Sequence, residues 1–344
     1  LMAALVLNDK RTLKGFQKPY IVAEVNSSHG GKVETAKEMI QKAAECGCDC
    51  VKFQSWSKET LYSQTYYDEN PIAKRFVSRF SLSERQLKEL AAFCRECGVS
   101  FASTPYSNQE AEFLVKECQV PFVKISSMEL NNYPFLEFIA KLDTAIVLST
   151  GMGEIGEIHK AVEVIEQAGN TRVCLLHCVS NYPTELADVN LRNITGLQRE
   201  FPQYPIGFSD HTMSTGIAPA AVAMGACMIE KHFTLNRASI GMDNQMAIEP
   251  VEMKEMVSRC YNVYTALGTM ERKLSEEELL QKKKMRRSLV YTRDMKSGET
   301  VYRADLGAKR PGTGIPPQET EQYIGRTLAR DVQGDTLLVE GDFE

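Results

Sequence analysis

The chain has 344 residues, 43% apolar and 25% charged, with a formal net charge of −5. That balance is ordinary for a globular protein and argues against a general nucleic-acid binder, which needs a basic surface to meet phosphates. No apolar run approaches the roughly 20 residues of a membrane-crossing helix, and the length suits one barrel of about 250 residues plus a small extra domain.

Residues 1–7 are apolar but too few, and without a basic flank, for a secretory leader. A turn at 8–10 and a return through 11–13 predict a hairpin. Eight short apolar runs follow, at 20–24, 48–54, 99–105, 122–127, 145–151, 172–178, 205–211 and 226–233. Each ends in polar, chemically able side chains. Helical patterns fill most of the gaps. They cover 33–45 (stopped by Gly47), a helix capped by Ser83 and stopped by Gly98, then 107–119, 154–168, the Ala-rich 214–225, and 251–267. Parallel strands alternating with helices predict an α/β fold, a (β/α)8 TIM barrel. Residues 55–81 are polar and rich in Tyr, Ser and Asn, and read as a long functional loop.

The composition changes after residue 270. Residues 271–287 are charged, with Lys282-Lys283-Lys284 offset by Glu276-Glu277-Glu278, and predict a solvated linker helix. Short β-type runs at 288–291, 300–302, 326–329 and 336–339 predict a small β domain over 288–344. Such a domain is marginal alone and should pack on the barrel or on a partner subunit. The expected organisation is a catalytic barrel (1–270), a linker (271–287) and the β domain (288–344).

Ten cysteines are scattered through apparent core elements, which fits free thiols in a reducing cytoplasm. Cys46-Gly47-Cys48-Asp49-Cys50 has no second pair at zinc-site spacing. Cys48 and Cys50 read as small hydrophobes on one face of a buried strand.

Strand C-termini in such a barrel share one mouth. Here that mouth would gather Glu24, Lys52, Gln54, Thr104, Lys124, Ser127, Ser149, His177, Ser209, Asp210, His211, Glu230 and His232. A fold alone does not require such a set, so the chain reads as an enzyme. His211 and His232 end neighbouring strands and would hold a divalent cation, with water and substrate oxygens completing the shell. Alternation is expected to turn Asp210 and Glu230 away from their His neighbours, to act from behind the rings. Lys52 and Lys124 with Thr104, Ser127, Ser149 and Ser209 suit a phosphate or carboxylate. No GxxxxGK[ST] or GxGxxG motif occurs, so this is not a nucleotide cradle. A desolvated lysine acting as a Schiff-base nucleophile is the alternative. Glu24, Glu129 and Asp243 are candidate general acids or bases.

Several ordered motifs carry a family resemblance. They are Ala23-Glu24, Val51-Lys52-Phe53-Gln54, Ser103-Thr104-Pro105, Lys124-Ile125-Ser126-Ser127, Leu148-Ser149-Thr150-Gly151-Met152, Leu176-His177-Cys178, Tyr182-Pro183, Gly207-Phe208-Ser209-Asp210-His211 and Glu230-Lys231-His232-Phe233. Through them the chain resembles the sialic acid synthases, which condense phosphoenolpyruvate with an N-acylated amino sugar. Lys309-Arg310-Pro311-Gly312-Thr313-Gly314 resembles the antifreeze-like (SAF) module fused to these enzymes.

The resemblance implies that His211 and His232 bind the metal, usually Mn2+ in this family, with Mg2+ or Co2+ as alternatives. It implies that Lys52, Thr104, Lys124, Ser127, Ser149, Ser180 and Ser209 hold phosphoenolpyruvate. Gln54, Asn70, Tyr182 and Asp243 would contact the sugar, N-acetylmannosamine or a 6-deoxy diacetamido hexose. Arg310 would reach the N-acyl group from the other subunit of a domain-swapped dimer. Glu24, Lys52, Glu129 and Asp243 would be the catalytic set. Three departures concern the sugar side: Ser28-His29 where relatives usually carry Asn-His, Ser180 where relatives can carry Asn, and Gly241-Met242-Asp243 where Pro often precedes the Asp. The rival readings are a related synthase acting on a phosphorylated sugar, a Schiff-base aldolase, and a non-catalytic sugar- or ice-binding protein.

Overall fold

The computed structural model describes residues 3–344. The chain forms two units, Leu1–Gly268 and Thr269–Glu344. Leu1 and Met2, placed by the sequence in the first arm of the hairpin, lie outside the described residues.

The first unit begins with an antiparallel hairpin, β1 (Ala4–Val6) and β2 (Thr12–Lys14). Eight parallel strands follow: β3 (Tyr20–Glu24), β4 (Cys50–Ser55), β5 (Ser100–Pro105), β6 (Val123–Ile125), β7 (Ile146–Ser149), β8 (Val173–Cys178), β9 (Ile206–Asp210) and β10 (Met228–His232). Their ladder runs β5-β4-β3-β10-β9-β8-β7-β6, with β5 and β6 side by side at its ends. This is the expected eight-stranded barrel, closed save for one seam. The helices are α1 (Val33–Glu45), α2 (Gln64–Glu69), α3 (Pro71–Phe80), α4 (Glu84–Glu96), α5 (Asn108–Lys116), α6 (Tyr133–Ala140), α7 (Ile155–Gln167), α8 (Arg192–Glu200), α9 (Ile217–Ala223) and α10 (Pro250–Leu267). Ser83 caps α4 in a box with Gln86. Gly47 and Gly98 end α1 and α4 at φ of +89° and +75°, a backbone that a Cβ opposes.

Residues 55–81 differ from the expected loop. Ser63 caps α2 and Pro71 starts α3, and Trp56, Tyr67, Val77 and Phe80 form a small apolar cluster under them. The sequence shows mostly polar residues there because only one face of each short helix is buried.

Each strand is buried on both faces, so alternation sorts its residues into two cores. The outer series, including Ile21, Ala23, Val51, Phe53, Ile125, Leu148, Leu175 and Phe208, packs against the helices. The inner series forms an apolar floor of Val22, Cys50, Ala102, Phe122, Val147, Cys174, Leu176 and Met228. Leu5, Leu7 and Leu13 of the hairpin belong to this inner cluster and plug the strand N-terminal end. The floor is tight. A Cβ on Gly207 would lie 2.9 Å from Met228 O and 2.5 Å from Leu176 Cδ2. Cys48 and Cys50 do not share a face. Cys48 precedes β4 and joins the outer core, while Cys50 joins the floor. All ten cysteines are free.

The second unit, taken by itself, holds α11 (Glu276–Met285), which has no buried residue. It also holds an antiparallel pair, β11 (Ser288–Tyr291) and β12 (Leu306–Lys309), and the short α12 (Thr320–Tyr323). The expected runs at 300–302, 326–329 and 336–339 appear as isolated bridges, among them Thr300 with Thr327 and Val290 with Leu337. Its core comprises Leu289, Tyr291, Met295, Val301, Tyr323, Leu328, Val332, Leu338 and Phe343. Asp342, buried, ties this core by accepting from Tyr291 Oη at 3.0 Å and Arg330 Nε at 2.8 Å.

The hairpin plug predicts a stability effect remote from the mouth. Leu13→Ala should cost about 2–5 kcal/mol in urea unfolding, the range for a buried leucine whose cavity cannot collapse. A loss below about 1 kcal/mol would mean that the hairpin contributes little to the barrel core.

Candidate active site

The inner series of each strand changes from apolar to polar at one level. Val22 gives way to Glu24, Cys50 to Lys52, Ala102 to Thr104, Phe122 to Lys124, Val147 to Ser149 and Met228 to Glu230. The register sets Lys52, Glu24 and His232 abreast on β4, β3 and β10, and Ser209 beside Glu230 on β9 and β10. Above the floor this layer encloses a cavity of about 560 Å3. Its lining includes Glu24, Lys52, Gln54, Thr104, Lys124, Ser127, Glu129, Ser149, Tyr182, Ser209, His211, Glu230, His232 and Asp243.

The deepest part is a charged cluster. Lys52 Nζ pairs with Glu24, lies 3.7 Å from Glu230 Oε2 and donates to Thr104 Oγ1 at 3.0 Å. Lys124 Nζ is 3.5 Å from Glu230 Oε1, which also accepts from Ser209 Oγ at 3.0 Å. Burial opposes charge on Glu230, yet Lys124 and Lys52 together pull it down to about 2. Burial drives the Glu24 carboxyl up to about 7, against the pull of Lys52 and helped by the Glu230 charge. Burial also opposes the Lys52 charge, but Glu230 and Glu24 outweigh it and hold its pKa up; burial lowers that of Lys124 despite Glu230. Two ammonium groups thus face one firmly ionised carboxylate and one that titrates near neutrality. While Glu24 is protonated the cluster is net positive, and a small anion would neutralise it. Ser127 Oγ, at the same level, accepts from Gly151 N at 3.0 Å and lies 3.3 Å from Cys178 Sγ.

The imidazoles stand above. His211 and His232 have ring centroids 5.4 Å apart, and Tyr182 packs on His211 at 4.5 Å. His211 Nδ1 is 2.7 Å from Val179 O, so Nδ1 carries the proton and Nε2 is left as an acceptor. Burial keeps both rings neutral, and His211 further disfavours charge on His232. Neutral, oriented ring nitrogens are what a divalent cation requires. Among the described residues no group of three or more His, Cys, Asp or Glu gathers as a complete metal shell. The pair therefore fits a cation only if water or substrate oxygens supply the remaining ligands.

The rim carries a polar network. Gln54 Oε1 accepts from Trp56 Nε1 at 3.0 Å and Tyr106 Oη at 3.3 Å, which leaves Nε2 to donate to Glu24 Oε1 at 3.2 Å. Asp243 Oδ2 lies 3.8 Å from His232 Nδ1, and Asn26 donates to it. Glu129, half-buried at the edge, accepts from Asn132 Nδ2 at 2.7 Å. Two of the departures from the family pattern meet on this side: Ser28 bonds Asn244, and Met242 N donates to Ser27 Oγ.

Five sequence assignments are corrected. Glu230 does not turn away from His232. The two are two residues apart, so both face the cavity. Asp210 does turn away from its His neighbour as expected, but outward, so it leaves the mouth and pairs with Lys231 at 3.0 Å. His177, odd in the alternation, also points outward; it sits 2.7 Å from Val189 O and stacks on Phe208. Ser180 lines a neighbouring cleft with His177 rather than this cavity, its Oγ and that of Ser127 both closing on the space a Cβ of Gly151 would fill. Asn70 is exposed at the end of α2 and donates to Tyr66 O at 3.1 Å, outside the cavity lining. Arg310 is an exposed residue of the second unit.

Asn26, Trp56 and Tyr106 line the cavity and were missed. A signal existed. They continue the series Glu24–Asn26, Lys52–Gln54–Trp56 and Thr104–Tyr106, two residues beyond the polar strand ends.

Behind the cavity, Lys231 Nζ, 1% exposed, donates to Thr212 O at 2.6 Å and Ser214 O at 3.0 Å. Asp210 Oδ1 accepts from Thr212 N and Oγ1 at 2.9 and 2.7 Å. This buried pair ties down the turn that follows His211. Lys231→Met should cost about 3–5 kcal/mol, because Asp210 is left buried without a partner. Adding Asp210→Asn should recover part of that loss in urea unfolding. No recovery would show that the cost lies in the loop carbonyls rather than the stranded charge.

A model of the NeuB family matches residues 39–272, and a model of the SAF domain matches residues 286–344. The N,N'-diacetyllegionaminic acid synthase of Campylobacter jejuni is 35% identical, over 94% of this chain and 100% of the relative. The human N-acetylneuraminate-9-phosphate synthase is 33% identical, over 95% of this chain and 93% of the relative. The crystal structure of an N-acetylneuraminic acid (sialic acid) synthetase from Leptospira borgpetersenii superposes with a TM-score of 0.74 at 30% identity, covering 81% of this chain and 95% of that one.

Proposed function

The chain belongs to the NeuB family and carries a C-terminal SAF domain, and from that premise we propose that it condenses phosphoenolpyruvate with an open-chain N-acylated amino sugar to give a nonulosonic acid and phosphate. The observation that carries this reading is the pair of buried lysines with their hydroxyl neighbours beneath two imidazoles in one cavity.

In this reading phosphoenolpyruvate lies deepest, its phosphate and carboxylate on Lys52, Lys124, Thr104, Ser127, Ser149 and Ser209. The sugar lies above, against Gln54, Tyr182 and Asp243, with Arg310 contributing from a second copy of the chain. His211 and His232 would hold a divalent cation, Mn2+ first among the candidates. Bound there, it would supply Lewis-acid polarisation of the sugar aldehyde. The enol carbon C3 forms the new bond to the aldehyde carbon, whose oxygen takes up a proton. Water adds at C2, and Glu24, the buried carboxylate of the anion site that titrates near neutrality, accepts a proton from it. The C2–O bond then breaks as the C2 hydroxyl becomes the ketone and its proton passes to the departing phosphate, with Lys52 and Lys124 neutralising the remaining charge on it.

Lys52 and Lys124 are the only Lys or Arg residues in the described cavity lining, and both are committed to the first anion. An unphosphorylated acceptor is therefore the better fit, although a relative is named for a 9-phosphate product. No described helix is long and apolar enough to cross a membrane. With ten free thiols we place the activity in the cytoplasm.

The expected result is phosphate release from phosphoenolpyruvate with unphosphorylated N-acylated amino sugars and Mn2+, lost on chelation and restored by the metal. Turnover confined to sugar phosphates would favour the second synthase reading. Chelator-resistant activity with a borohydride-trapped lysine adduct would favour the aldolase.

A pH dependence follows from Glu24. Only its ionised form accepts a proton, and its pKa lies at about 7. Plots of kcat/KM should therefore rise with pH through that region. Glu24→Gln should remove this limb and lower kcat about 10²–10⁴-fold. A parental pH profile in the Gln variant would assign the proton to another group, with Glu129 next in line.

A further inference from the structure

Asn26 is a buried amide with one end in use and the other free. It follows Glu24 by two residues and lines the cavity. Its backbone is left-handed, at φ of 41°, a conformation that asparagine tolerates better than other residues bearing a Cβ. The residue is 4% exposed. Its Nδ2 donates to Asp243 Oδ2. Because a carboxylate only accepts, this contact fixes the orientation of the amide. Oδ1 therefore points the other way, and it is buried without a hydrogen-bond partner in the protein.

The side chain is also held in place. Asn26, Ser27 and Ser28 each bond one residue of the facing loop: Asp243, Met242 N at 2.9 Å and Asn244. Three consecutive residues after β3 are stitched to three consecutive residues after β10, so neither loop can move the amide cheaply. A buried amide oxygen with no donor is rare in folded proteins and is satisfied by whatever binds there. Phosphoenolpyruvate, with phosphate and carboxylate ionised, offers no donor. An N-acylated amino sugar offers hydroxyl groups and an amide N–H.

We infer that Asn26 is a specificity-determining contact of this site, its Oδ1 accepting a hydrogen bond from a hydroxyl or the N-acyl N–H of the acceptor sugar. The inference rests on the proposed condensation and names a residue of its sugar side. Asn26 selects against acceptors that lack the donor, because such a molecule leaves the amide oxygen unsatisfied.

The test uses the full chain with phosphoenolpyruvate, Mn2+ and a panel of N-acylated amino sugars, each lacking one hydroxyl or altered at the N-acyl group. Asn26→Gly removes the amide and keeps the left-handed backbone available. Asn26→Asp keeps the shape and sets a carboxylate against Asp243. The glycine variant should raise KM for the best acceptor about tenfold and leave KM for phosphoenolpyruvate within about twofold. It should also compress the spread of kcat/KM across the panel. The single deletion that hurts the parent but not the variant identifies the donor. The aspartate variant should lose more acceptor affinity than the glycine variant, and it serves as the measurement if the glycine variant is poorly folded. Parental acceptor KM with the same ranking of the panel in either folded variant overturns this inference alone. No phosphate release by the parent with any acceptor overturns the condensation, and this inference with it.

Discussion

Four ionisable side chains sit in one dehydrated layer, and the rest of the barrel is arranged around holding them there. Lys52, Lys124, Glu24 and Glu230 are each 4% exposed or less. Isolated charges at such positions would cost many kcal/mol. They persist because each ammonium faces a carboxylate, and because Thr104 and Ser209 satisfy part of what remains. The balance is incomplete by design of the register. Glu230 lies between both lysines and stays ionised, while Glu24 is left to titrate. A cluster with its own charges fully matched would have little use for an anion.

What makes that layer possible is the apolar floor below it. Alternation puts small or medium hydrophobes directly under each polar residue, and Gly207 leaves space for Leu176 and Met228 to meet. The outward series is separate and holds the helices. One outward pair, Asp210 with Lys231, breaks that apolar rule, and it anchors the turn that carries His211 away from the strand. The active layer is thus fixed from below by packing and from behind by one ion pair.

Much of this was legible in the residues. The eight strands, most of the helices and the polar strand ends all follow from short apolar runs with Gly and Ser punctuation. So does the barrel, since parallel strands need helical crossovers. α6 was harder to see, because Tyr133–Ala140 is so apolar that it lacks a helical stripe. The second unit was harder still, because its pairings are isolated bridges in irregular chain. Within the site, the errors came from reading strand ends as clusters and from turning Glu230 away from His232, although the two are two residues apart. The two-residue period separates His177 and Asp210 from the cavity and admits Glu230, and continued past the strands it reaches Asn26, Trp56 and Tyr106. Ser180 follows a different cause: the chain leaves the strand at Cys178, so the two-residue period no longer applies to it.

The hairpin plug has a kinetic meaning. With Leu5, Leu7 and Leu13 sealing the lower end, the barrel is a cul-de-sac with a single doorway. A guest on the lysines would have to enter before one settled against Gln54 and Asp243, and would leave after it. For the proposed condensation such a vessel would set an order, the deeper guest first in and last out.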